Sequence, residues 1–106
     1  MLYILLGEHS AETCPTSNSK VRDVLLKTSP EMPNIAKRLG VKLVGGPYAN
    51  REHILVTIVE SDKAEAVDDF IWQSGLSQWN KVRVLPSHTL DDAATQNELQ
   101  SEKPIF

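Results

Sequence analysis

Apolar residues run without a break from Leu2 to Leu6, and Gly7, Glu8 and His9 close the run. So short a stretch, apolar at every position, predicts a strand covered on both faces. Ser10 to Ser19 is polar and contains Pro15, so it reads as a loop, with Ser17 or Asn18 placed to cap the next helix. Val21, Leu25, Thr28, Met32, Ile35 and Leu39 then recur at spacings of three and four, a helical stripe. Pro30 and Pro33 fall inside it and predict a break near Thr28-Ser29, with Ser29 capping a second segment and Pro30 at its first position. Gly40 comes next as a left-handed stop. A strand over Val41–Val44 is bent or bulged by Gly45-Gly46-Pro47, and Ala49 to Glu52 reads as a hairpin turn. The strand from His53 to Val59 is again apolar on both faces. Asp62 and Glu65 have the spacing of a capping box ahead of a helix carrying Val67, Phe70, Ile71 and Ser74 on one side, with Gly75 as its stop. Asn80 to Leu85 alternates as an edge strand does, and Pro86 is expected to end it. Beyond Thr89 the chain is polar, with a weak helix from Leu90 to about Leu99.

The element order is therefore strand, helix, strand, strand, helix, strand. Right-handed crossovers make the first and second strands parallel with the third between them. The expected architecture is α+β: a ferredoxin-like βαββαβ unit with sheet order 4-1-3-2 over residues 1–92, and a polar tail, holding a short helix, over 93–106. Both helices lie on one face of such a sheet. The other face of the central strands would then expose Leu, Ile and Val, which predicts a cover. The simplest cover is a second copy of the same sheet, a homodimer.

A chain of 106 residues holds one domain with a thin core. A hydrophobic content of 41% against 24% charged residues argues against wholesale disorder. The net charge of −3 argues against a nucleic-acid partner bound through bulk electrostatics. The apolar N-terminal run is too short to span a membrane, so no membrane partner is expected. Cys14 is the single cysteine, which forbids an intrachain disulfide and points to a reducing, cytoplasmic setting.

The strands Leu2-Tyr3-Ile4-Leu5-Leu6 and His53-Ile54-Leu55-Val56-Thr57-Ile58-Val59-Glu60, the helix around Phe70-Ile71-Trp72, and Val82-Arg83-Val84-Leu85-Pro86 together resemble the dimeric α/β-barrel superfamily, and most of all its short YCII-like and GYD-like members. The likeness is one of pattern and covers roughly residues 1–92. It implies a homodimer with a pocket between sheet and helices. The superfamily includes haem-binding proteins, monooxygenases, iron enzymes of sulfur metabolism and ligand-sensing domains, so it leaves the chemistry open.

Strand direction brings distant residues together. The end of the first strand lies beside the start of the third, which places Glu8 and His9 near Glu52 and His53. The Cys14 loop, the Tyr48 turn and Trp79 belong to the same end of the sheet, whereas His88 leaves at the opposite end. His9, Cys14 and His53 have the donor chemistry for zinc, copper or iron, and Glu8 or Glu52 could complete a set. The plain alternative is two strand-end histidines on the surface. Cys14 precedes a helix start, where backbone N–H groups favour a thiolate, so Cys14 or His9 is also the candidate catalytic group of a small oxidoreductase. The alternative is an inert loop cysteine. Cys14-Pro15 is a dipeptide also found in haem-responsive proteins, which adds haem to the cofactors considered. Glu8, Tyr48 and Trp79 are candidate contacts for a small molecule. Trp72 lies off its helix's apolar stripe, and either lines a surface or packs on Trp79 around Gly75. A dimer with no site at all is the third functional class. Asp68-Asp69 and Asp91-Asp92 read as solvated charges.

Overall fold

The computed structural model describes residues 1–100. The last part of the expected tail, from residue 101, lies outside the described residues. Four strands form one antiparallel sheet: β1 (Leu2–Glu8), β2 (Lys42–Tyr48), β3 (Ile54–Glu60) and β4 (Lys81–Ser87). Their order, β2-β3-β1-β4, is the expected 4-1-3-2 read from the other edge. Between them run α1 (Ser19–Thr28), α2 (Met32–Leu39), α3 (Ala64–Gln73) and the short α4 (Leu76–Trp79), and α5 (Leu90–Gln100) comes after β4. This is the α+β, ferredoxin-like arrangement. The residue 92/93 boundary falls within α5, whose Ala93 is buried.

The pleat divides each strand between two environments. Tyr3 and Leu5 on β1, and Leu55, Thr57 and Val59 on β3, are buried under the helices. Val82 and Val84 of β4 and Leu43 of β2 join that face at its edges. Met32, Ile35 and Ala36 of α2, Val67, Phe70 and Ile71 of α3, and Leu76 and Trp79 of α4 complete the core. The opposite face carries Ile4 between Ile58 and Leu85, and Leu6 between Val56 and Arg83. These side chains are only half-buried or exposed, as are Val44 and Tyr48 on β2. The two-faced apolar pattern of β1 and β3 thus corresponds to one packed face and one open face.

Local chemistry differs from expectation at several places. Asn18 caps α1 as expected, its Oδ1 accepting from the Val21 N–H at 3.1 Å. Ser29, however, caps nothing. Its backbone stays in the right-handed helical region, and its N–H still bonds Leu25 O, so the prolines produce a 3₁₀ turn over Ser29–Glu31 rather than a fresh start. The Asp62–Glu65 capping box does not form, because α3 begins one residue later and Lys63 occupies the cap position. The Ser61 hydroxyl accepts from the Lys63 N–H instead. Pro86 lies inside β4, which continues to Ser87, since an edge strand tolerates a residue without an N–H. His53 lies outside β3, with φ of 58°. α4 has no counterpart in the expected order, because four residues are too few for a periodic signal. The expected bulge in β2 is present, with register shifts on both sides of Gly45, and Gly40 ends α2 in the left-handed conformation.

Phe70 is fully buried at the centre of the packed face. Phe70→Ala is expected to cost about 3–5 kcal/mol of unfolding free energy. Urea denaturation monitored by circular dichroism measures it, and a loss of less than about 1 kcal/mol would mean that α3 does not anchor the core.

Candidate functional site

The β1–β3 ladder continues one step past both strands: the His9 N–H donates to His53 O at 3.2 Å. This bond draws the two histidines together, and their rings meet edge-on with centroids 5.5 Å apart. His9 also lies against the buried Trp79, at 4.9 Å between ring centroids.

The orientation of the His9 ring is set by Asn80, a residue without any obvious role in the sequence. The Asn80 side-chain Nδ2 donates to Leu76 O at 3.0 Å, which leaves Oδ1 facing Nδ1 of His9 at 2.8 Å. A carbonyl oxygen can only accept, so Nδ1 carries the proton and Nε2 is the nitrogen left to bind something else. Asn80 reaches this position because β1 has a glycine beside it: a Cβ on Gly7 would lie 3.0 Å from the Asn80 carboxamide.

His53 is held in the left-handed region, which non-glycine residues seldom adopt. Asn50 imposes it. Its Oδ1 accepts from the N–H groups of Glu52 and Ile54, at 3.1 and 3.2 Å, and its Nδ2 donates to Ile54 O at 2.6 Å. Such a conformation persists where surrounding bonds fix it.

Cys14 comes directly after a 3₁₀ turn over Ala11–Thr13, which Ser10 and Thr13 close with a reciprocal capping box. Arg22 of α1 then ties the loop down, donating from Nε to Pro15 O at 2.9 Å and from Nη2 to Thr16 O at 3.3 Å. Cys14 is buried by this loop. The source of its activation differs from the expected helix terminus: α1 begins five residues on, and it is the Cys14 carbonyl, not the thiol, that receives the Ser17 and Asn18 N–H groups. The Thr16 hydroxyl, 3.1 Å from Sγ, is the largest influence holding the thiol below its ordinary pKa, followed by the Thr16 backbone N–H. Burial opposes them, and hydrogen bonding and charge at His53 lower the thiol further.

His9, Cys14 and His53 thus converge: one donor atom from each lies within 4.8 Å of the others. Donors around a tetrahedral zinc lie about 3.3–3.6 Å apart, given bonds of about 2.0–2.3 Å, so a contraction of up to about 1.2–1.5 Å separates the two arrangements. Among the described residues no carboxylate joins the group. The exposed Glu52 belongs to the turn, and Glu8 reaches Arg83 Nη1 at 3.5 Å across the open sheet face. Tyr48, 57% exposed, stands on that same face beside Val56. Trp79 does border the three donors, because together they line one cavity of about 540 Å³ whose other walls include Pro15, Leu25 and Leu55. Trp72 is 74% exposed, and Trp79 packs on His9 rather than on it. His88 is at the far end of the sheet with Met1 and Glu60, as expected.

The chain matches no protein-family model and no curated protein. Among the described residues no helix is long and apolar enough to cross a membrane.

A lowered thiol pKa means that the thiolate is present at a lower pH than for an ordinary cysteine. In metal-free protein the rate of Cys14 alkylation by iodoacetamide should rise with a midpoint below that of an ordinary cysteine thiol. Thr16→Val should move the midpoint upward. An unchanged midpoint in that variant would remove Thr16 as the cause.

Proposed function

We propose that the protein is a homodimeric metal-binding protein whose centre is formed by His9, Cys14 and His53. The observation that carries this reading is the convergence of two imidazoles and a thiol within 4.8 Å. Thiolate with imidazole favours zinc or copper(I) over hard cations. The hydrogen bond from His9 to Asn80 is the kind of outer contact that fixes the tautomer of a ligating histidine. A bare ion suits the cluster better than haem, whose ring already occupies four positions on the iron and leaves only two axial places for three protein donors.

The dimer belongs to the same reading. The open face presents Ile4, Leu6, Val56, Ile58 and Leu85 between charged borders, with Glu8 and Arg83 at one end and Lys42 paired across the ladder with Glu60 at the other. A second copy turned by a two-fold axis would cover the apolar centre and set charged rims against each other. That assembly is a dimeric α/β barrel, in keeping with the resemblance in sequence pattern. A second reading, in which Cys14 acts as a nucleophile without metal, is favoured by the same lowered thiol pKa.

Purified protein should take up one zinc or cobalt(II) per chain, and the cobalt form should show a thiolate charge-transfer band in the near ultraviolet. Cys14→Ala should abolish the band, and Asn80→Leu should weaken binding about 10–100-fold while Asn80→Asp restores it. Affinity should fall on acidification, because the thiol and imidazoles must lose protons to bind. Equal metal uptake by wild type and a Cys14→Ala, His53→Ala double variant would defeat the metal reading in favour of the nucleophile.

Light scattering should give twice the chain mass of 11.8 kDa. Ile4→Glu, on the open face, should yield a folded monomer. A monomeric wild type would leave the open sheet face without its proposed cover.

A further inference from the structure

The cavity beside the three donors is larger than a metal ion and its waters require. Its volume of about 540 Å³ lies within the range of small-molecule pockets, about 300–1,000 Å³. One wall is the His9, Cys14 and His53 cluster, and Pro15, Leu25, Leu55 and Trp79 supply apolar surface around it. α1 borders this space through Leu25. None of its residues is fully buried, although Val21, Val24 and Leu25 face the core. A second apolar recess of about 380 Å³ shares Leu25 and Leu55 and extends under α1 toward Met32 and Leu76.

A zinc-class ion prefers four donors, whereas among the described residues the cluster supplies three. The position left over borders a cavity whose lining is mostly apolar, with Thr16, Asn50 and Arg51 as its other polar members. Water fills such a position by default, but apolar walls reward a ligand that places hydrocarbon against them. Resting on the metal reading above, we propose that the site takes a small organic ligand with one nitrogen or sulfur donor and an apolar body. The donor completes the metal's coordination, and the body lies between α1 and the β2–β3 hairpin. Only donor exchange with water occurs, with no change in the ligand's own bonds.

The test uses the full chain carrying Trp72→Phe. Trp72 is exposed, and its replacement leaves Trp79, at the cavity wall, as the sole tryptophan. Cobalt-loaded protein is titrated with 4-phenylimidazole, with imidazole (donor without apolar body) and with ethylbenzene (apolar body without donor). Cobalt content is measured on every sample. Visible absorption reports the metal, and Trp79 fluorescence of the zinc form reports the cavity. The expected result is that 4-phenylimidazole changes both signals and binds roughly tenfold or more tightly than imidazole. Leu25→Gln should reduce that advantage. If cobalt binds but 4-phenylimidazole is no tighter than imidazole, or binds metal-free protein equally well, the inference is overturned and the metal centre survives. If cobalt does not bind, the metal centre fails and the inference with it.

Discussion

The register of β1 against β3 is the constraint on which the rest of the molecule depends. It pairs Leu2 with Glu60 at one end and Glu8 with Ile54 at the other. A slip of a single residue would turn Tyr3 and Leu5 outward and bring Ile4 and Leu6 under the helices. It would also break the bond from His9 to His53 just beyond the last pair. Core and site are therefore consequences of one alignment. The alignment is well specified because Leu5 and Val59 are almost wholly excluded from water, and a slipped register would expose them.

How much of the molecule is legible in the sequence depends on the range of the interactions involved. The strand order and the meeting of His9 with His53 derive from element order and crossover hand alone, so they are legible. The stripe from Val21 to Leu39 is legible as a local periodicity that keeps its phase across the turn between α1 and α2. Asn80 is not, because its role needs three separate pieces: the Leu76 carbonyl, the gap beside Gly7 and the ring of His9. Nor is Arg22, which acts on carbonyls six and seven residues back that a loop must first bring within reach. Ser29 and Asp62 mislead because cap residues are recognised by type, whereas capping is decided by a dihedral angle or a shift of one residue. The Asn50 and His53 pair lies between these cases. Asn in a turn is a visible signal, and histidine is among the few residues that enter the left-handed region.

The site combines two surroundings that seldom lie so close. Polar groups hold each donor from behind: Asn80 behind His9, Thr16 beside Cys14, Asn50 beneath His53. Apolar side chains from α1, β3 and α4 occupy the other side of the same space. Polar contacts at the back set direction and protonation, and the apolar front would set which molecules share the space. The exposed sheet face is physically separate, since Glu8 and Tyr48 lie there while the donors open on the helix side. An assembly through the sheet would therefore leave the donors free.

Arg22 joins α1 to the chain segment that carries Cys14. A loop of this composition would ordinarily sample many conformations, and a ligand recruiting its cysteine would bear the entropy of arresting them. Here that entropy is lost once, when α1 docks and its guanidinium grips the backbone. The loop that carries the thiol is ordered during folding, so a ligand recruited there would meet a donor that needs only the last contraction of the cluster.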